Sequence, residues 1–133
     1  MILTHAQQYC SDTLTTAIEG GINYWAKGRK FKRIHESDAE NGLNYLACEI
    51  RPNYDEGIPF ADGDPRNDWK LVTLDTIETA VHLLMSDAGL KLCRKDIVED
   101  IRIDWADPDS CRSDAETADV IIQIALFGEI VFG

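Results

Sequence analysis

A run of apolar residues near the C-terminal end constrains the fold of this chain more than any other feature. Residues 118–127 contain only two polar positions, Asp119 and Gln123, so apolar side chains cover every side of the helix they would form. A helix that is apolar all round is either the central helix of a core or a contact between copies of a protein. The rest of the chain must therefore supply elements that cover it, or a second copy must.

The two polar residues of this run lie four apart, so they share one face of the helix. A buried carboxylate without a partner is costly, which favours a hydrogen-bonded network or an interface at Asp119 and Gln123 over a catalytic acid or base. We predict that a capping box of Ser113 and Glu116 begins the helix and that Gly128 ends it.

Apolar periodicity predicts the remaining elements. They are a helix over residues 4–25 with Thr4 as N-cap, strands over 27–35, 43–51 and 69–73, a helix capped by Thr73 and ended by residues 86–89, a helix over 94–100, and a short final strand over 129–132. We therefore expect the α+β class: an N-terminal helix, a small antiparallel sheet of two to three strands, and a helical C-terminal half with a buried final helix. The length of 133 residues favours a single domain over residues 1–133.

Two segments interrupt the regular patterns. The pair Gly20 and Gly21 marks either the end of the first helix or a place where another backbone or a ligand comes close. Residues 52–68 hold three of the four prolines and five acids against one arginine, which indicates an acidic loop that is functional or mobile. Asp62, Asp64 and Asp68 hint at a calcium loop that begins at Asp62, but its sixth position is not glycine and its twelfth is Thr73 rather than glutamate, so the EF-hand pattern fails.

The net charge of −11 limits the classes of partner. It argues against general binding to nucleic acid and against docking on an anionic membrane. No apolar run is long enough to span a membrane and no signal peptide is evident, so we expect a cytosolic protein. The cysteines and histidines are scattered without zinc spacing, so the thiols are expected to be reduced, and no metal or cofactor is predicted.

A basic cluster stands out against this acidic background. Residues 27–33 carry five of the thirteen bases and no acid, whereas residues 95–119 have a net charge of −6. Glycine admits a close backbone approach, an aromatic ring offers a stacking face, and arginine pairs with phosphate. The predicted ligand-binding residues are Gly20, Gly21, Asn23, Tyr24, Trp25, Arg29, Arg51 and Trp69. The alternative is that Trp25 belongs to the core and that the basic run is a solvated strand face.

Four segments together carry a resemblance. They are EGGINYW at residues 19–25, DWKL at 68–71, DAETADVIIQ at 114–123 and ALFGEIVFG at 125–133. With them the chain resembles a group of small uncharacterised proteins encoded in tailed-bacteriophage genomes, while residues 28–65 correspond to the variable part. The resemblance implies a phage origin, a place in the host cytoplasm, and a role in host takeover or counter-defence.

Two functions compete within that setting. The first is a binding protein, not an enzyme, that sequesters a nucleotide-type immune signal at the basic and aromatic cluster. The second is an acidic inhibitor that mimics nucleic acid and covers a basic host defence protein. A weaker third is an enzyme that degrades such signals, with Asp119 and Glu19 as its first candidates. The apolar final helix also predicts a homo-oligomer.

Overall fold

A computed structural model describes residues 3–34, 44–107 and 109–133. A helical N-terminal segment, a three-stranded sheet and a helical C-terminal half follow one another along the chain, which confirms the predicted α+β class. The elements are α1 (His5–Thr16), a π-helical turn (Ala17–Gly21), β1 (Ala26–Arg33), β2 (Tyr45–Pro52), a 3-10 turn (Pro65–Asn67), β3 (Lys70–Thr73), α2 (Leu74–Met85), α3 (Gly89–Leu92), α4 (Lys95–Ala106) and α5 (Ala115–Phe127).

The sheet is antiparallel, and β2 lies between β1 and β3. Cys48 and Ile50 of β2 and Val72 of β3 are fully buried. Because side chains alternate along a strand, the residues between them point the other way. Leu71, for example, is 59% exposed. The sheet therefore has an inner face on the core and an outer face, which carries Lys27, Arg29, Glu49, Arg51 and Leu71.

Helix α5 is the central helix of the fold. Nine of its thirteen residues are buried, and it packs against α1, α2 and the π-helical turn. The chain's own elements thus cover the helix that is apolar on every side, and this burial removes the need for a second copy to do so. Gly128 ends the helix with a φ of 74°, as predicted.

The predicted start of α5 is wrong by one residue. Asp114, not Ser113, is the N-cap, and its carboxylate accepts a hydrogen bond from the backbone N–H of Thr117. Both residue types are good caps, so sequence preference does not separate the two adjacent positions. Ser113 serves a different contact, because its hydroxyl bonds that of Tyr9 at 3.0 Å.

The predicted N-caps of α1 and α2 are confirmed. Thr4 and Thr73 each accept a hydrogen bond from the backbone three residues later, at the start of α1 and α2. The first helix ends earlier than expected, in the π-helical turn, and α4 runs beyond Asp100 to Ala106. The C-terminal segment 129–132 forms no strand.

The π-helical turn packs closely against α5 at a glycine. A Cβ atom at Gly21 would lie 2.8 Å from the carbonyl oxygen of Ala115, closer than Cβ atoms come to other atoms. The glycine pair predicts a helix end or a close approach by a backbone or a ligand. At Gly21 the close approach is by another backbone, that of the first turn of α5. Gly20 has open space around it, so only Gly21 needs to be glycine for packing.

The acidic connection before β3 is organised around one amide. Asn67 accepts a hydrogen bond from the backbone N–H of Phe60 and donates to the carbonyl oxygens of Phe60 and Ala61, at 3.0 to 3.2 Å. These bonds close the loop on itself beside the sheet, which places Tyr54 and Arg66 next to β2 and β3.

Candidate ligand site on the outer face of the sheet

Three of the predicted site residues meet on the outer face. The guanidinium carbon of Arg29 lies 4.1 Å from the centre of the Trp69 ring, and that of Arg51 lies 4.9 Å from the same centre. Each residue comes from a different strand or strand end. An arginine above an aromatic ring is a stable cation–π pair, and here one indole holds two of them. We call Arg29, Arg51 and Trp69 the arginine–tryptophan cluster.

The register of the strands brings this cluster together. Lys27 and Arg29 of β1 lie opposite Arg51 and Glu49 of β2. Trp69 directly precedes β3 and stands two residues before Leu71, which lies opposite Glu49. Residues two apart on a strand share a face, so these side chains project from the same side of the sheet. The basic run of β1 is thus the edge of a larger surface.

Tyr54 is a further member that the sequence analysis missed. The centre of its ring lies 4.0 Å from the guanidinium carbon of Arg51. The loop that closes on Asn67 brings it there, since the Tyr54 hydroxyl donates to the carbonyl oxygen of Asn67. No local pattern connects residue 54 with the cluster, because the contact depends on how the loop folds.

One carboxylate balances part of the positive charge. Glu49 Oε1 lies 3.1 Å from Arg29 Nε and 3.2 Å from Lys30 Nζ. Hydrogen bonds from Lys30 and Arg29 hold the pKa of the Glu49 carboxyl below its usual value, against the opposing effect of desolvation. Arg51 instead donates to the carbonyl oxygen of Pro52 at 2.8 Å. Among the described residues no carboxylate pairs with Arg51, so its charge is available to a ligand.

Trp25 does not belong to this surface. It is only 3% exposed, and its ring stacks on Phe132 at 4.9 Å with an interplanar angle of 8°. Its indole N–H donates to Asp119 Oδ1 at 2.7 Å. The ring therefore has no face open to a ligand, which corrects its prediction as a stacking platform and favours the alternative that it is a core residue.

Tyr24 belongs to the same internal network. The residue is 58% exposed, but its hydroxyl donates to Asp119 Oδ2 at 2.6 Å. Desolvation of the hydroxyl and the neighbouring Asp119 charge raise the pKa of Tyr24 above its usual value. Gln123 Nε2 donates to Asp119 as well, at 3.0 Å. The predicted hydrogen-bonded network at Asp119 and Gln123 is confirmed, and it is a structural one.

Gln123 extends this network to the C-terminal segment. Its Oε1 accepts the backbone N–H groups of Val131 and Phe132, both at 2.8 Å, and its Nε2 donates to the carbonyl oxygen of Phe132 at 3.1 Å. A single amide thus satisfies the backbone groups that a neighbouring strand would otherwise bind. This is the physical reason why the predicted strand over 129–132 is absent.

The remaining predicted residues form the connection between α1 and β1. The backbone N–H of Asn23 donates to Gly20, and those of Trp25 and Ala26 donate to Ile22. Gly21 is packed against Ala115. Gly20, Gly21 and Asn23 therefore make a turn, and the structure does not place them in the arginine–tryptophan cluster.

A cavity of about 290 Å³ adjoins Trp69 on the inner side of the sheet. Its walls include Pro52, Arg66, Lys70 and Phe127. Lys70 Nζ approaches the carbonyl oxygens of Ala125 and Leu126 at 3.4 Å, at the C-terminal end of α5. Such a lysine stabilises the end of a helix. Arg66 is paired with Asp64 at 2.7 Å, so both cations of this cavity already have partners.

A second cleft, of about 270 Å³, lies between α1 and the segment that precedes α5. Asp104 is a buried acid that lines this cleft. Its carboxylate oxygens accept hydrogen bonds from the backbone N–H groups of Arg112 and Ser113, at 2.8 and 2.6 Å. Desolvation raises the pKa of Asp104, but hydrogen bonds from Ser110, Ser113 and Arg112 outweigh it and hold the pKa below its usual value. This acid holds the loop before α5 in place, and the cleft offers no free buried group.

Metal and thiol chemistry receive no support from the described residues. In that part of the chain no group of three or more His, Cys, Asp or Glu side chains is placed to hold a metal ion. Burial raises the pKa of the Cys10 and Cys48 thiols to about 12, so both stay protonated at neutral pH. His35 lies outside the described residues.

No helix among the described residues has both the length and the apolar character that crossing a membrane requires. Comparisons with protein-family models, with curated proteins and with solved structures give no match to this chain.

Proposed function

We propose that this chain is a binding protein that sequesters a nucleotide-type anionic ligand on the outer face of its sheet, without chemistry. The observation that carries the proposal is the convergence of Arg29 and Arg51 on the single indole of Trp69. A flat, cationic and aromatic surface suits a ligand that combines a planar base with a negative charge.

Such a ligand has two parts, a base and a phosphate, and the surface offers aromatic rings to the first and cations to the second. A base stacks on an aromatic ring or on the plane of a guanidinium, and stacking on an aromatic side chain stabilises a complex by roughly 1–3 kcal/mol. Phosphate pairs with arginine through two parallel hydrogen bonds. Arg51 and Lys27 lie opposite each other on neighbouring strands, so they offer two cations to one phosphate group. In a chain of net charge −11, this surface is where an anion is attracted.

The resemblance to tailed-bacteriophage proteins suggests the biological setting. A small phage protein that removes a nucleotide signal from the host cytoplasm would blunt a defence that depends on that signal. Sequestration needs affinity and stoichiometric amounts of protein, and it needs no catalytic residue.

Calorimetry with a panel of cyclic nucleotides and ADP-ribose-type nucleotides tests the proposal. The wild-type protein is expected to bind at least one of them and to return it unaltered, as chromatography of the released ligand would show. Trp69→Ala and Arg51→Glu are expected to lose binding, while the control Arg94→Glu on the distant helical side retains it. An absence of heat with every nucleotide, or full binding by both cluster variants, would contradict the proposal.

A second candidate is an acidic inhibitor of a nucleic-acid-binding host defence protein. The exposed carboxylates of Asp96, Glu99, Asp107 and Asp109 favour it, since they lie on α4 and the loop that follows. Under this alternative, a host protein that binds this chain would be released by duplex DNA and by moderate salt. Retention of the partner in the presence of excess DNA would count against it.

A further inference from the structure

We infer that Glu49 makes the outer face selective for a base whose edge presents two adjacent N–H donors, as guanine does, over adenine. This inference rests on the proposed function, because it concerns the same surface. It starts from the position of one carboxylate in an otherwise cationic site.

Glu49 lies at the centre of the outer face. It is opposite Arg29 on β1 and opposite Leu71 on β3. Its side chain is 21% exposed, so the carboxylate reaches solvent beside the arginine–tryptophan cluster. A ligand that covers Trp69 and Arg29 therefore meets this carboxylate as well.

The two oxygens of Glu49 differ in their contacts. Both cation contacts, from Arg29 Nε and Lys30 Nζ, fall on Oε1. Within residues 3–34, 44–107 and 109–133, the one side-chain hydrogen bond to this carboxylate, from Arg29 Nε, is accepted by Oε1, and none is accepted by Oε2. The neighbouring cations favour the ionised form, and an ionised carboxylate is an acceptor only. One oxygen thus fixes the orientation of the group while the other is available to a ligand.

Arg29 connects this acceptor to the stacking surface. Its Nε is 3.1 Å from Glu49 Oε1, and its guanidinium carbon is 4.1 Å from the centre of the Trp69 ring. A base stacked over Arg29 or Trp69 has its edge beside Glu49. A phosphate is repelled from that side and attracted to Arg51 and Lys27, so the charges alone orient the ligand.

The chemistry of the base edges then decides which base fits. Guanine presents N1–H and the N2 amino group side by side, and the two lone pairs of Oε2 can accept both. Adenine presents the N6 amino group beside N1, which is an acceptor and is repelled by the carboxylate. Sites that hydrogen-bond one ligand reject an isostere that leaves a polar group unpaired.

The closing experiment measures the affinities of GDP and ADP for the full chain by calorimetry at one salt concentration. The wild-type protein is expected to bind GDP on the order of 10-fold more tightly than ADP, the discrimination that one good paired contact to a base provides. Glu49→Gln is expected to bring the ratio close to one, because an amide offers both a donor and an acceptor. The matched control Glu99→Gln, on the exposed side of α4, is expected to keep the wild-type ratio.

The ratio separates this inference from the proposed function. Equal binding of GDP and ADP by the wild-type protein, or an unchanged ratio in Glu49→Gln, would overturn the role of Glu49 while leaving nucleotide binding intact. If no nucleotide binds, both the role of Glu49 in base selection and the proposed nucleotide-binding function are overturned. Melting curves that match for the wild-type and both glutamine variants exclude misfolding as the cause of a changed ratio.

Discussion

Trp25 and Asp119 are joined by a hydrogen bond of 2.7 Å although 94 residues separate them in the chain. The bond fixes the start of β1 to the central helix, and it occupies the indole N–H in the core. Trp69 differs from Trp25, because its ring lies under two arginines on the outer face of the sheet.

Asp119→Ala is expected to destabilise the protein by roughly 2–4 kcal/mol, because it leaves the buried N–H groups of Trp25 and Gln123 without their acceptor. Urea denaturation measures this change in the free energy of unfolding. Asp96→Ala is the control, since Asp96 is exposed and its ion pair with Arg94 lies on the surface. Equal stability of the two variants would show that the Asp119 network contributes little.

Gln123→Leu is expected to release the C-terminal segment from α5, because the N–H groups of Val131 and Phe132 lose their acceptor. Amide hydrogen exchange at these two residues should accelerate by about 10-fold or more, while the centre of α2 keeps its protection. Gln8→Leu, at an exposed position of α1, should leave their exchange unchanged. Full protection of Val131 and Phe132 in Gln123→Leu would mean that stacking of Phe132 on Trp25 suffices to hold the segment.

Two adjacent glycines are expected to respond differently to alanine. Gly21→Ala places a Cβ atom 2.8 Å from the Ala115 carbonyl oxygen and should cost about 1–3 kcal/mol of stability. Gly20→Ala has open space and should be neutral or stabilising by up to about 1 kcal/mol. Thermal unfolding of the two variants, each compared with wild type, measures the difference. A similar loss in both would contradict the close contact at Gly21.

Stability is expected to fall at alkaline pH, because the thiols that are buried and protonated in the folded chain ionise in the unfolded chain. Burial raises the pKa of Cys48 from about 9 to about 12 in the folded state, so the folded chain retains a proton that the unfolded chain has released. This contribution is fully present below pH 9 and is lost as pH rises towards 12, by roughly 1 kcal/mol between pH 8.5 and 10 for one thiol.

Urea unfolding at pH 8.5 and 10 tests this for wild type and Cys48→Ala. The variant lacks the titrating group, so its stability should fall less over the same interval. An equal fall in both proteins would assign the effect to the other ionising groups.

Local sequence patterns were sufficient for the position and type of most elements. The periodicity of a helix or strand reflects which of its sides faces the core. The spacing of apolar residues only a few positions apart is enough to show this. The caps at Thr4 and Thr73, the end of α5 at Gly128, and the pairing of Asp119 with Gln123 are of this local kind. Local preference fails where two neighbours are equally good, as at Ser113 and Asp114.

The composition of the candidate site depended on contacts that no local pattern contains. The contacts of the two tryptophans come from partners far along the chain. Trp25 contacts Phe132 and Asp119 in the core, and Trp69 contacts Arg29 on the outer face. The sequence determined where helices and strands form, since that follows from the spacing of apolar side chains. Only the tertiary structure decided which aromatic rings are buried and which cations converge, because strand register and burial arise from pairing between distant segments.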